Sequence, residues 1–430
     1  MAVSPTSARA AERLLTVDDA LDRILSRIHP LAPREVPLLD AVGRTLARDV
    51  VADRDVPPFR NSAMDGYAVR GADVATAPAR LRVVGAVAAG GVPDRAVGPG
   101  EAMRIMTGAP MPDGADTVVR VEDTDDRRDM VTVTAPTPAG TSVRQAGEDL
   151  LRGTTVLAAG TTIRPAEVGL LASLGIPKPL VVARPRVAVL STGDEVVDVA
   201  ADVGPGQIRD SNRYSLAAAV WACGCGPWLR PIVRDTADDL RRALREALDA
   251  DAVVTSGGVS VGDHDWVKPV VSELGTIDLW SIAIRPGRPL AFGELRAEPS
   301  AGGRGGEAPL KGPRSIPIWG LPGNPVSALL TFELFVRPAL LKMSGRAKLH
   351  RPRAQARLID PIDKPPHLRF FARGIHDAAA GTVTSTGPQG SGILRSMSLA
   401  NCLIDLPVGA KRVNAGETVT VILTELPEDH

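Results

Sequence analysis

A chain of 430 residues is long enough for about three domains, each with its own core, and 44% hydrophobic with 23% charged residues is ordinary globular composition. Lys plus Arg (50) balance Asp plus Glu (50), which removes any global electrostatic case for nucleic acid or an anionic membrane surface. With three cysteines, no signal-peptide core and no apolar run near ~20 residues, we expect no disulfide framework, no membrane span and a cytoplasmic location.

In chain order, Thr16 is placed to cap a helix with Val17, Leu21, Ile24, Leu25 and Ile28 on one face and Pro30 just past its end. From about Ala52 the chain turns short, β-like and rich in Gly and Pro. Two stretches there, PPFRNSAMDGYAV from Pro57 and RIMTGAP from Arg104, set Asp65 and Thr107 directly before a glycine. On pattern alone, a plain turn is the stronger reading of both. Arg144, Glu148 and Asp149 share another loop. A short helix between Arg164 and Gly175 has Pro165 in its first turn and Val168, Leu171 and Leu174 as a face.

The texture then changes to alternation. Val187–Leu190 reads as a buried strand ending in Ser-Thr-Gly-Asp-Glu195. A helix around Ser215 to Cys223, a strand Pro231–Val233 followed by Asp235, and a helix from Thr236 come next. Cys223 and Cys225 read as a helix end before glycine rather than metal ligands. Strand Ala252–Thr255 runs into Ser256-Gly257-Gly258-Val259-Ser260 and on to Asp263-His264-Asp265, ahead of a helix from Trp266 to Leu274. Such a strand–glycine loop–helix junction offers backbone N–H groups to an anion. Carboxylates beside it would repel that anion unless a divalent cation lay between. Strands alternating with helices predict a doubly wound, parallel α/β sheet whose carboxyl-end loops collect Glu195, Asp235, Asp263 and Asp265. Each acid by itself could equally cap a turn or helix.

Arg285 and Arg288 are held by prolines and Gly287 in a form suited to an oxyanion, or to plain solvation at the surface. Residues from about Arg296 to Arg314 are low-complexity and read as an exposed insertion without a catalytic part. Strand Ile316–Trp319 leads into Leu321-Pro322-Gly323-Asn324-Pro325-Val326-Ser327 and a helix towards Leu341. Beyond about His350, strands near Thr382–Thr386, Asn401–Leu406 and Thr418–Leu423 predict a small C-terminal barrel or sandwich, with Arg373 and Gly387–Ser391 on its loops. Only His264 of the six histidines falls in a suspected site, and no histidine pair has zinc-ligand spacing.

Taken as an ordered set, PPFRNSAMDGYAV, RIMTGAP, Gly147-Glu148-Asp149, STGDE, SGGVSVGDHD, RPGRP, LPGNPVS and GPQGS closely resemble the molybdopterin molybdenumtransferase family, the MoeA and gephyrin E-domain enzymes. The resemblance overturns the plain-turn reading of Asp65 and Thr107. It implies four parts: an extended helical region from 8–50 and 150–184, a mostly β inserted domain over 51–149, an α/β domain over 185–350 and a C-terminal β domain over 351–430. An elongated homodimer with shared active sites is implied too, Asp65 and Thr107 reaching the α/β domain of the partner. The implied reaction takes adenylylated molybdopterin and molybdate to molybdenum cofactor and AMP, with Mg²⁺ and with molybdoenzymes as receivers of the product.

By resemblance, Asp65, Thr107, Glu195 and Asp235 are catalytic, and Asp263 and Asp265 join Glu195 and Asp235 as metal ligands. Arg144, Asp149, Ser256, Gly257, Gly258 and Ser260 bind substrate. Arg285, Arg288, Ser327, Arg373 and Ser391 are the molybdate candidates, with Pro322 and Pro325 shaping the turn beneath. The basic pair at 285 and 288 is more often lysine in the family. Arginine keeps the charge and alters the hydrogen-bond geometry. A dimeric scaffold and an adenylyltransferase of the preceding step are the rival functions.

Overall fold

The computed structural model describes residues 14–258, 266–298 and 313–424. They form two compact units: Glu35–Val42 with Leu46–Leu180, and the described parts of 1–34, 43–45 and 181–430. The first helix, α1 (Val17–Ser26), belongs to the second of these. Thr16 caps it, its Oγ1 accepting from the Asp19 N–H at 3.1 Å. Val17, Ala20, Ile24 and Ile28 bury against the α/β core, so this helix is not grouped with the segment around residues 150–180.

The unit of residues 46–180 is built on a five-stranded sheet of β1 (Gly66–Val69), β2 (Ala79–Val87), β3 (Glu101–Ile105), β4 (Thr117–Arg120) and β5 (Met130–Val133), in the order β4-β1-β3-β2-β5. Gly66 opens β1 because a Cβ there would lie 1.9 Å from the Val119 carbonyl oxygen. The helix expected after Arg164 is α2 (Pro165–Ser173). Its Glu167 accepts from the Arg164 guanidinium at 2.9 Å and from the Arg164 backbone N–H at 2.9 Å. These two donors, the guanidinium first, pull the carboxyl from 4.5 down to about 2. A depressed folded-state pKa gives stability that is present above 4.5 and lost as pH falls towards 2. Glu167→Gln should therefore flatten acid-induced unfolding of this unit between those two pH values, as followed by circular dichroism.

In the other unit a six-stranded sheet is assembled from β6 (Arg186–Ser191), β7 (Gly226–Leu229), β8 (Ala252–Ser256), β9 (Gly275–Ser281), β10 (Pro289–Ala297) and β11 (Arg314–Leu321) in the order β7-β6-β8-β11-β10-β9. The first four in that order are parallel, while β10 runs antiparallel to both its neighbours, β11 and β9. The sheet is thus mixed rather than wholly parallel. Its two faces are separated by strand alternation. Val187 and Val189 of β6 pack with Leu216 and Val220 of α3 (Asn212–Ala222). Ala188 and Leu190 pack with Leu240 and Leu244 of α4 (Ala237–Ala247) and Val267 and Val270 of α5 (Val267–Leu274). Burying one such Val or Leu is worth about 1.5–3 kcal/mol.

Two expectations are corrected. The strand falls at Gly226–Leu229, not Pro231–Val233. Trp228 is covered there by the guanidiniums of Arg186 and Arg230, at 3.7 and 4.5 Å from its ring centroid, and Pro231 has no N–H to continue the ladder. Val233 keeps only an isolated bridge to Thr192. Strands β10 and β11 also reach into the low-complexity stretch, pairing Arg296 with Ser315 and Ala297 with Arg314. The rest of that stretch, residues 299–312, lies outside the described residues.

After β11 the chain forms α6 (Pro325–Thr331), a π-helical segment Phe332–Val336 and α7 (Arg337–Met343). Five further strands, β12 (Arg353–Leu358), β13 (Arg369–Asp377), β14 (Thr382–Ser385), β15 (Cys402–Leu406) and β16 (Thr418–Leu423), close into a barrel because β15 pairs with both β16 and β13. No helix among the described residues is long and apolar enough to cross a membrane. Cys223 and Cys225 are buried in the core around α3, where burial pushes their thiols up to about 12 and about 11.

Candidate active site

At the carboxyl edge of the α/β sheet Ser191, Ser256 and Leu321 stand in register at the ends of β6, β8 and β11. The loops beyond them surround a cleft of about 730 Å³. Of the residues singled out from sequence, Glu195, Asp235, Ser256, Gly257, Gly258, Pro322 and Pro325 all line it. Gly257 has φ +91°, and a Cβ on it would come 2.8 Å from Thr192 Oγ1, so the turn after β8 needs glycine. Its N–H donates to the Leu321 carbonyl at 3.0 Å, fastening that turn to the end of β11. Asp235 is tied to the loop that carries Glu195 by a hydrogen bond from its N–H to Asp194 Oδ1 at 3.3 Å.

The residues singled out for molybdate stand on α6 and on the loops and strand near it. Ser327 is buried in α6, and the neighbouring Val326 N–H donates to the Ser391 carbonyl at 3.1 Å. Gly287, between Arg285 and Arg288, has φ +97°, and a Cβ there would meet Thr331 Cγ2 at 2.6 Å. Arg285 and Arg288 are exposed, whereas Arg373 is fully buried. Its guanidinium donates to Ser396 Oγ at 3.0 Å and the Gly390 carbonyl at 3.2 Å, and one terminal nitrogen has no partner. Among the described residues no carboxylate pairs with it. Burial, and then the positive charge of Arg285, bring its pKa down to about 10. A buried cation in this position is electrostatically prepared for an anion.

Asp65, Thr107, Arg144 and Asp149 lie in the other unit. Thr107 donates its N–H and its Oγ1 hydroxyl to the same Asp65 oxygen, both at 2.7 Å. These bonds, the backbone one first, hold the Asp65 carboxyl below its ordinary range. Arg144 pairs with Asn61 on a short strand, and Asp149 donates its N–H to the Val56 carbonyl at 3.0 Å; both side chains are exposed. Ser260, Asp263, His264 and Asp265 lie outside the described residues.

Several cleft residues were given no role from sequence: Ser191 and Thr192 of the STGDE motif, Asp210 and Asn212. Asp210 is buried, accepting from Ser191 Oγ and the Arg213 N–H, both at 3.0 Å. Asp210-Ser211-Asn212 is a helix-start signature, and a helix placed three residues late, at Ser215, hid it. As for a metal, the described residues hold no cluster of three or more His, Cys, Asp or Glu side chains. The carboxylates of Glu195 and Asp235 on one cleft nevertheless match a cation that takes one or two protein carboxylates and completes its shell with water and phosphate.

Three family models match in sequence: the MoeA N-terminal region (domain I and II) over residues 15–175, a probable molybdopterin binding domain over 188–342 and the MoeA C-terminal region (domain IV) over 355–424. Molybdopterin molybdenumtransferase 2 of Mycobacterium tuberculosis is 39% identical over 400 residues, 90% of this chain and 94% of the relative. The molybdopterin molybdenumtransferase of Haemophilus influenzae is 35% identical over 95% of this chain and 98% of its own length. A crystal structure of the molybdopterin biosynthesis MoeA protein from Pyrococcus horikosii matches with TM-score 0.80 and 31% identity, covering 96% of this chain and 100% of that one. The chain belongs to the MoeA family of molybdopterin molybdenumtransferases and is an enzyme of molybdenum cofactor biosynthesis.

Proposed function

We propose that this enzyme takes adenylylated molybdopterin and molybdate and releases AMP and molybdenum cofactor. The observation that carries the reading is the convergence of Glu195 and Asp235 with the turns at Gly257–Gly258 and Pro322–Gly323 on one cleft. Glycine turns let backbone amides approach a phosphate closely. Glu195 and Asp235 would hold Mg²⁺, which when bound offsets their charge against the pyrophosphate. Arg373, with Arg285, Arg288, Ser327 and Ser391, receives the molybdate dianion, and Asp65, kept ionised by Thr107, supplies an essential carboxylate. Arg144, Asp149, Ser256, Gly257 and Gly258 contact the organic substrate, while Pro322 and Pro325 shape the turn below it. We further propose a cytoplasmic homodimer with shared active sites that hands its product to molybdoenzymes.

The test is AMP release from adenylylated molybdopterin by the purified protein. Release that requires both molybdate and Mg²⁺ is expected. ATP consumption with molybdopterin itself would assign the preceding adenylyl transfer instead, and partner binding without AMP release would assign a scaffold.

A further inference from the structure

Asn212, the first residue of α3, is tied to both glycine turns of the cleft at once. Its Nδ2 donates to Ser256 Oγ at 2.7 Å and to the Gly323 carbonyl at 2.6 Å. A carbonyl can only accept, so the amide orientation is fixed: the NH₂ faces the turns and Oδ1 faces away. The Ser256 hydroxyl, accepting from Asn212, donates onward to the Pro322 carbonyl at 3.4 Å.

Two successive carbonyls of the Pro322–Gly323 turn are therefore held on the Asn212–Ser256 side. In a trans peptide the following N–H points the opposite way, and neither of these bonds is cis. The N–H groups of Gly323 and Asn324 are thus directed away from that network, and among the described residues neither has an acceptor. Both residues line the cleft. Asn212 Oδ1 and Thr192 Oγ1 are also buried on it without partners, Thr192 being 8% exposed.

We infer that Asn212 is a positioning residue for the phosphate-bearing substrate: its amide locks the turns after β8 and β11 so that the Gly323 and Asn324 amides are presented together to an anion. This rests on the substrate proposed above being a phosphate ester.

The experiment measures the KM for adenylylated molybdopterin in the AMP-release assay, with hydrogen exchange of peptides spanning 256–258 and 321–324. In Asn212→Ala the KM should rise about 10–100-fold, the loss expected for mis-set hydrogen bonds to a charged group, with kcat falling less than about tenfold. Both turns should exchange faster while the melting temperature stays near that of the unaltered enzyme. Asn212→Asp keeps the shape, so it serves if the alanine variant folds poorly. At pH 8 its carboxylate faces the Gly323 carbonyl and should raise the KM as much. On acidification the protonated carboxyl regains a donor, and the KM should recover, which a packing role would not produce. A normal KM in either variant at pH 8, or a raised KM with unchanged exchange at both turns, overturns the inference. Failure of the unaltered enzyme to release AMP would overturn the substrate reading first, and this with it.

Discussion

Asp65→Asn is expected to lower turnover by about 10²–10⁴-fold, the range for losing a positioned proton-accepting or charge-bearing group. The substitution keeps the volume, and the side chain is exposed, so folding should be little affected. What changes is the charge. Two Thr107 donors converge on one Asp65 oxygen and hold the carboxyl ionised to lower pH than usual. Thr107→Ala removes the hydroxyl and keeps the backbone donor. Because the depressed pKa moves back up towards 3.8 when a donor is lost, the acid limb of the pH–rate profile should shift to higher pH. Full activity of the asparagine variant would remove Asp65 from the chemistry.

Arg373→Met should separate stability from anion binding. In the unaltered protein, molybdate at a hundred times its Kd should stabilise the fold by about 2.7 kcal/mol through mass action, and the variant should lose that increment entirely. Without molybdate the variant should unfold within about 1 kcal/mol of the original. It gives up two hydrogen bonds to neutral acceptors, and it removes a buried cation that no carboxylate balances among the described residues. Thermal unfolding with and without molybdate checks both halves. A variant that still gains stability from molybdate would place the anion elsewhere.

Much of the α/β unit was legible because its determinants are local. Short apolar runs such as Val187–Leu190 and Ala252–Thr255 are strands buried on both faces, and Thr16 and Thr236 cap their helices through their side chains. The convergence of Glu195, Asp235 and the glycine turns followed from fold class, since carboxyl-end loops must share an edge. Legibility failed where a distant partner decides. Gly226–Leu229 is a strand through parallel pairing with Arg186–Val189 of β6, far back in the chain, where the Arg186 guanidinium also covers the Trp228 ring. Arg296 and Ala297 sit in low-complexity sequence and become strand through pairing with Ser315 and Arg314 at its far end. Asn212 looked like an ordinary polar residue, and its two acceptors lie 44 and 111 positions away. Arg373 read as a surface loop residue, although the barrel buries it completely. The roles proposed for Asp65 and Thr107 rest on family resemblance, because an Asp-Gly turn is locally self-sufficient.

The turns at Gly257 and Gly323 meet almost backbone to backbone: a Cβ on Gly323 would find the Gly257 Cα at 3.9 Å, and one on Gly257 would strike Thr192. With so little between them, neither can drift without displacing the other. Retuning the cleft for a different substrate would therefore require concerted changes on both, and single substitutions at the two positions should combine non-additively.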